Sequence, residues 1–147
     1  MRLFLLFTFL LLICLATFGC KDYSTGLQQS SSRVDETSAI ATLRTLAQAQ
    51  ATYSISNAGQ FAHFEQLVEG GFLDSRFQHT NPTLHGYIFT LQVTPATDQT
   101  PGSYSCNADP EPTALPGGRH FYIDSNSQDI KMNPTQPATS KDKILRP

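Results

Sequence analysis

The chain has 147 residues, and its 10 lysines and arginines against 12 aspartates and glutamates give a net charge of −2. This length fits one domain rather than a multidomain enzyme, and the near-neutral charge argues against a broadly basic surface for nucleic acid. Apolar residues make up 39% of the chain but 15 of the first 19 positions, so an apolar leader precedes a more polar body.

The leader has the form of an export signal. Arg2 supplies a positive charge, and the apolar run over 3–16 covers 14 residues, which suits a signal peptide and is short for a membrane span. Gly19-Cys20 then resembles the lipobox of bacterial lipoproteins, which implies a signal peptide over 1–19 and a lipid anchor on Cys20. An ordinary signal peptide cut after Gly19 and an uncleaved N-terminal anchor remain alternatives. All three place the body outside the cytoplasm, and the lipid anchor would hold it on the periplasmic or outer face of a bacterial cell envelope.

The body begins with a polar segment and a helix. Residues 20–32 are rich in glutamine and serine and predict a flexible tether after Cys20. Ser32 offers an N-cap, and acidic residues follow it in the first helical turn. Good helix formers and apolar residues at helical spacing predict a helix over about 33–55. The apolar positions are Val34, Ile40, Leu43, Leu46, Ala47 and Tyr53.

Shorter elements follow the helix. Residues 64–69 predict a helical turn. Three segments alternate in side-chain character and predict strands, over 87–93, 103–108 and 120–124. Residues 128–131 can pair back as a short fourth strand, and the composition after them predicts a disordered tail over 132–147. The order predicts an α+β fold, with one long N-terminal helix packed on a small antiparallel sheet of three to four strands.

The helix and the segments after it carry a family resemblance. The segment over 39–53 resembles the long helix of type IV pilins and type II secretion pseudopilins. Further segments are similar to that family in the same order, at Gly59–Phe61, Leu67–Asp74, Gly86–Leu91, Ser105–Pro110 and Arg119–Asp124. The resemblance covers about residues 33–131 and implies a pilin-like headgroup domain there.

The leader differs from that of a pilin. A prepilin peptidase site, a glycine followed by Phe-Thr-Leu-x-Glu, does not occur in the sequence, and residues 3–18 contain no acidic residue. In pilins the apolar segment runs directly into the amphipathic helix, whereas here Cys20 and the tether separate the two. The two resemblances together imply a pilin headgroup carried on a lipoprotein anchor.

Residues with catalytic or metal-binding patterns are few in the body. The four histidines have no metal-ligand spacing, at His63, His79, His85 and His120. The sequence has no serine-hydrolase elbow, phosphate loop or paired carboxylates, and Cys106 is interpreted as a small strand residue rather than a reactive thiol. This pattern favours a protein that is not an enzyme and has no cofactor, nucleic-acid partner or small-molecule substrate.

One polar segment has the spacing of calcium ligands. Asp124, Asn126 and Gln128 place side-chain oxygens at alternate positions, with Asp129 beside them. Some secretion pseudopilins bind calcium in a C-terminal loop. However, the sixth position is Asp129 rather than glycine, and the twelfth is Thr135 rather than an acid. The segment therefore favours a polar hairpin turn, with a calcium site as the alternative.

These features predict a non-enzymatic cell-envelope lipoprotein, held to a membrane through Cys20. Its pilin-like domain would contact protein partners as an accessory component of a pilus or secretion system. One alternative is a minor pseudopilin that inserts into a filament through an uncleaved leader. Another is an envelope ligand-binding lipoprotein, which would need a concave pocket with converging polar groups.

Overall fold

The computed structural model describes residues 21–146, with side chains described from Arg33 onward. The helices are α1 at Lys21–Ser56 and α2 at Phe64–Glu69, followed by a 3-10 turn at Ser75–Phe77. The strands are β1 at Thr83–Leu84, β2 at Tyr87–Thr94, β3 at Ser103–Pro110, β4 at His120–Asp124, β5 at Lys131–Asn133 and β6 at Lys143–Ile144. Residues from Val34 onward form one compact unit.

The strands form one antiparallel sheet in chain order, from β1 to β6. The α+β class is as predicted, but the expected number of three to four strands is wrong, because the sheet has six. One added strand is β1, which pairs with β2 through a two-residue turn. His85 and Gly86 in that turn have φ angles of 51° and 71°. Successive positive φ angles match the twist of a tight hairpin, so this turn brings β1 back onto β2.

The other added strand lies where the sequence predicts a disordered tail over 132–147. In the described part of that segment β6 pairs with β5, and the amide of Leu145 donates to the carbonyl of Ile130 at 2.8 Å. The intervening loop is fastened by Asn107 of β3, whose side-chain amide donates to the carbonyl of Ala138 at 2.7 Å. The composition is typical of disorder, but contacts with the rest of the sheet order the segment.

Helix α1 is longer than predicted at its start. It begins at Lys21, so residues 21–32, predicted as a flexible tether, are helical. Its predicted end near Ser56 is confirmed. There the amide of Gly59 donates to the carbonyl of Ser54 at 2.9 Å, and Ala58 and Gly59 take positive φ angles that a continuing helix does not allow.

The core lies between α1 and one face of the sheet. Alternate residues of β2, β3 and β4 are buried, and they share one hydrophobic cluster with α1 and α2. The largest fully buried apolar side chains are Tyr87, Phe64, Phe89, Phe121, Leu43, Leu46, Leu67 and Ile123. Burying each such side chain contributes about 1.5–3 kcal/mol, so this cluster is the main source of the packing free energy.

One polar side chain, that of Gln50, is fully buried in this core. Its Nε2 donates to the carbonyl of Ala62 at 2.7 Å, and its Oε1 accepts from the amide of Ala62 at 3.0 Å. Both polar ends of the amide are therefore satisfied by one backbone residue. The contact fastens the connection between α1 and α2 to the side of the helix.

The hydroxyl of Tyr104 is a buried polar atom without a hydrogen bond to the described residues, and its effect on stability can be measured. Its side chain is 4% exposed, and its hydroxyl has no hydrogen-bond partner among the described residues. Burial raises the pKa of Tyr104 to about 12. Because the buried hydroxyl makes no bond, we expect Tyr104→Phe to leave the free energy of unfolding unchanged or raise it by about 1 kcal/mol. Chemical denaturation followed by circular dichroism measures this change.

Tyr87→Phe is the matched control for that substitution. The hydroxyl of Tyr87 donates to the carbonyl of Arg119 at 3.0 Å, so its removal should lower the free energy of unfolding by about 1 kcal/mol. An equal loss in the two variants would show that the hydroxyl of Tyr104 is also bonded in solution.

Candidate functional site

An ion pair joins α1 to the connection from β3 to β4. Nη2 of Arg119 lies 2.6 Å from Oε2 of Glu36, and Nε of Arg119 donates to the same oxygen at 3.0 Å. The backbone amide of Arg119 donates to Oε1 of Glu36 at 3.3 Å. Only 13% of the Glu36 side chain is exposed, against 40% for Arg119. The hydrogen bond to Glu36 raises the pKa of Arg119 further above its usual value.

Aromatic rings surround this ion pair. The guanidinium carbon of Arg119 lies 5.7 Å from the ring centroid of Phe121, and the rings of Phe121 and Tyr87 are 5.8 Å apart. Burial, followed by the charge of Glu36, raises the pKa of Tyr87. The charges and donors satisfy one another, so the cluster is suited to holding α1 against the sheet.

A histidine and an aspartate form a second close pair on the sheet face opposite α1. Nδ1 of His120 lies 2.6 Å from Oδ1 of Asp109. A catalytic use of such a pair requires a nucleophile beside the histidine. The thiol of Cys106 is on the buried face of β3, and burial raises its pKa well above the usual range. The pair therefore bridges β3 and β4. No described contact places a nucleophile beside His120.

The residues of the predicted calcium segment form a hairpin turn. Oδ1 of Asp124 accepts from the amides of Asn126 at 2.9 Å and Ser127 at 3.1 Å. The carboxylate of Asp124 is buried, whereas Asn126, Gln128 and Asp129 are exposed. Among the side chains described from Arg33 onward, no group of three or more His, Cys, Asp or Glu could hold a metal ion. The carboxylate of Asp124 closes the polar hairpin turn that the sequence favours at this segment.

Sequence reasoning missed a second closed loop, over 134–142. Oδ1 of Asn133 accepts from the amides of Thr135 and Gln136, at 3.1 and 3.2 Å. Nδ2 of Asn133 donates to Asp142 at 2.8 Å, and Asp142 also accepts from the amide and hydroxyl of Thr139 at 2.8 Å. These bonds lower the pKa of Asp142. The signal in the sequence was an asparagine before a proline, which is typical of turns.

A shallow cleft of about 240 Å³ lies between α1 and the segment before β2. It is lined by Ser38, Ala41, Thr42, Thr45, Asp74, Arg76, Phe77, Leu84 and His85. Its three hydroxyl groups donate to carbonyls of their own helix, and Arg76 pairs with Asp74 at 2.8 Å. The hydrogen bond from Arg76 holds the pKa of Asp74 at about 2. The cleft thus presents compensated charge and small side chains.

The predicted lipidation residue, Cys20, lies outside the described residues, as does the leader. Within the described part of the chain, no helix combines the length and apolar character needed to cross a membrane.

Comparisons with known proteins add no relative. No family model, no curated protein and no solved structure matches this chain.

The ion pair at α1 gives a stability prediction. Glu36→Gln leaves Arg119 partly buried without an anionic partner, so we expect the free energy of unfolding to fall by about 1–2 kcal/mol. Arg76→Gln is the matched control, because that cation pairs with Asp74 at the surface and its loss should change the same quantity much less. Equal effects in the two variants would contradict the anchoring role of Glu36.

The turn at Asp124 gives a prediction about calcium. Asp124→Ala removes the acceptor for two backbone amides, so the free energy of unfolding should fall by about 1–2 kcal/mol. The loss should be the same in calcium and in a chelator, as measured by chemical denaturation. If calcium stabilises the wild type and not the variant, the segment is a calcium site and the turn interpretation is wrong.

Proposed function

We propose that the protein is a non-enzymatic, membrane-tethered component of the bacterial cell envelope, with a pilin-like domain that binds other proteins. The lipid anchor would sit on Cys20, at the end of the leader. The domain from Val34 onward would be the part that contacts partners, as an accessory component of a pilus or secretion system.

The observation that carries this proposal is the order of the elements. A long N-terminal helix comes first, then a short helix, and then an antiparallel sheet whose inner face the long helix covers. This is the arrangement that the resemblance to pilin headgroups implies. The polar groups described above are engaged with one another, which suits a scaffold better than a reaction centre.

One observation favours the alternative of a minor pseudopilin. Residues 21–32, which the sequence predicts as a flexible tether, are helical and continuous with the rest of α1. A pilin also has a long helix after its apolar leader. The alternative then depends on whether the leader is kept, because an uncleaved leader could insert into a filament.

Cys20→Ala separates these possibilities. If Cys20 is the lipidated residue, the variant should lose incorporation of labelled palmitate and accumulate as unprocessed precursor, since lipid addition normally precedes cleavage at this position. Mass spectrometry of the wild-type N-terminus is the second measurement. A diacylglyceryl group on Cys20 supports the lipoprotein, whereas an intact Met1 supports the pseudopilin. Normal processing and release of the variant would overturn the lipid anchor.

The interaction role needs its own measurement. Photo-crosslinking from surface positions in intact cells should give discrete protein adducts with the wild-type chain. Their absence, in a protein that carries the lipid, would contradict the interaction role and leave the anchor in place.

A further inference from the structure

The charges of the folded body are distributed unevenly along the chain. Residues 33–130 carry four cations and ten anions, whereas residues 131–146 carry four cations and one anion. These last cations lie on β5, on β6 and on the segments that flank β6. We define the basic edge as these four cations together with Ile144 of β6. Its residues are Lys131, Lys141, Lys143, Ile144 and Arg146.

The cations of the basic edge outnumber the anions of their segment by four to one. None of them forms an ion pair with another described residue, whereas Arg119 pairs with Glu36 elsewhere in the domain. The one anion within the segment, Asp142, is held inside its own loop by three hydrogen bonds. The positive charge therefore remains available to a ligand.

The backbone of the basic edge is also available. β6 is the last strand of the sheet, and it pairs with β5 on one side. The amide of Leu145 donates to the carbonyl of Ile130, and antiparallel pairing alternates, so the N–H and C=O of Ile144 point away from β5. The side chain of Ile144 is 47% exposed. A free strand edge with an exposed apolar side chain is suited to the addition of another strand.

We propose that the basic edge binds an extended acidic segment of a partner protein by strand addition. The backbone of Ile144 bonds the incoming strand. Lys131 and Ile144 share one face of the sheet and Lys143 lies on the other, so carboxylates on both faces of that strand find cations. A lipid surface offers anions but no backbone groups to pair with Ile144. The inference rests on the proposed function, because it names the partner that the domain would contact.

Charge reversal tests the electrostatic part of this proposal. The probe is a short fluorescein-labelled peptide that repeats Glu-Glu-Val-Val, which places carboxylates on both faces of an extended strand. Its anisotropy is followed with the full-length protein in detergent. The double variant Lys141→Glu/Lys143→Glu should bind about tenfold more weakly than the wild type, because two ion pairs become repulsive. Arg44→Glu, which reverses an exposed cation on α1, should bind as the wild type does. A probe that does not bind the wild type overturns the proposal.

Substitution of Ile144 tests the strand addition. Ile144→Pro removes the outward N–H and leaves the ladder bonds of Lys143 and Leu145 to β5, so it should abolish probe binding. Ile144→Thr keeps the N–H and a branched side chain, and its affinity should stay within about threefold of wild type. Circular dichroism tests whether the proline variant is folded. If that variant is unfolded, the affinity of the double variant Lys141→Glu/Lys143→Glu decides whether the proposal stands. Equal affinities of the proline and threonine variants overturn strand addition.

Two further outcomes point to other ligands. If the double variant loses binding to phosphatidylglycerol vesicles but still binds the peptide, the basic edge contacts lipid and the proposal is wrong. If charge reversal changes the oligomeric state in analytical ultracentrifugation, the occupant is a second copy of the chain. In either case the lipid on Cys20 and the crosslinked partners remain separate measurements, so the proposed function can survive the failure of this inference.

Discussion

The path of the chain from helix α1 into α2 depends on the buried amide of Gln50. A buried amide without partners would cost about 1–3 kcal/mol for each polar group, and Ala62 removes that cost by bonding both of them. Fourteen residues earlier, about 21 Å along the helix, Glu36 accepts hydrogen bonds from both the backbone amide and the guanidinium of Arg119. The apolar core supplies most of the free energy, but it allows small shifts of the helix. The contact of Glu36 fixes α1 against the segment before β4, and that of Gln50 fixes the connection that follows the helix.

The sequence predicted the elements whose signal is local. The alternation in β2, β3 and β4 was sufficient to place them within a few residues, and the apolar spacing of α1 placed its end but not its start. β6 had no such signal, because proline, threonine and serine dominate the segment before it. Its order comes from contacts such as that between Asn107 and Ala138, which are 31 residues apart. The composition of a short segment contains no information about a partner so far away in the sequence.

The polar sites likewise divide into those with a local sequence pattern and those formed by distant residues. The spacing of Asp124, Asn126 and Gln128 is common to a calcium loop and to a turn closed by its own aspartate. The sequence therefore left both open, and the bonds of Oδ1 to two amides show the turn without testing calcium binding. The pair of Glu36 and Arg119 spans 83 residues and has no local pattern at all. Acidic residues near a helix start are predicted to cap it, whereas Glu36 instead reaches across to the sheet.

The lysines of the basic edge have a second physical consequence, which concerns selectivity. Lysines on an edge strand ordinarily prevent sheets from pairing with one another, because identical edges repel. Here that repulsion acts against a second β6, while the same charges attract a strand of opposite sign. The outer face at β3 is in contact with the loop over 134–142, and the inner face is filled by the core. An edge that rejects its own copy and accepts an acidic strand therefore lets the domain bind a partner at β6 without pairing two copies through that strand.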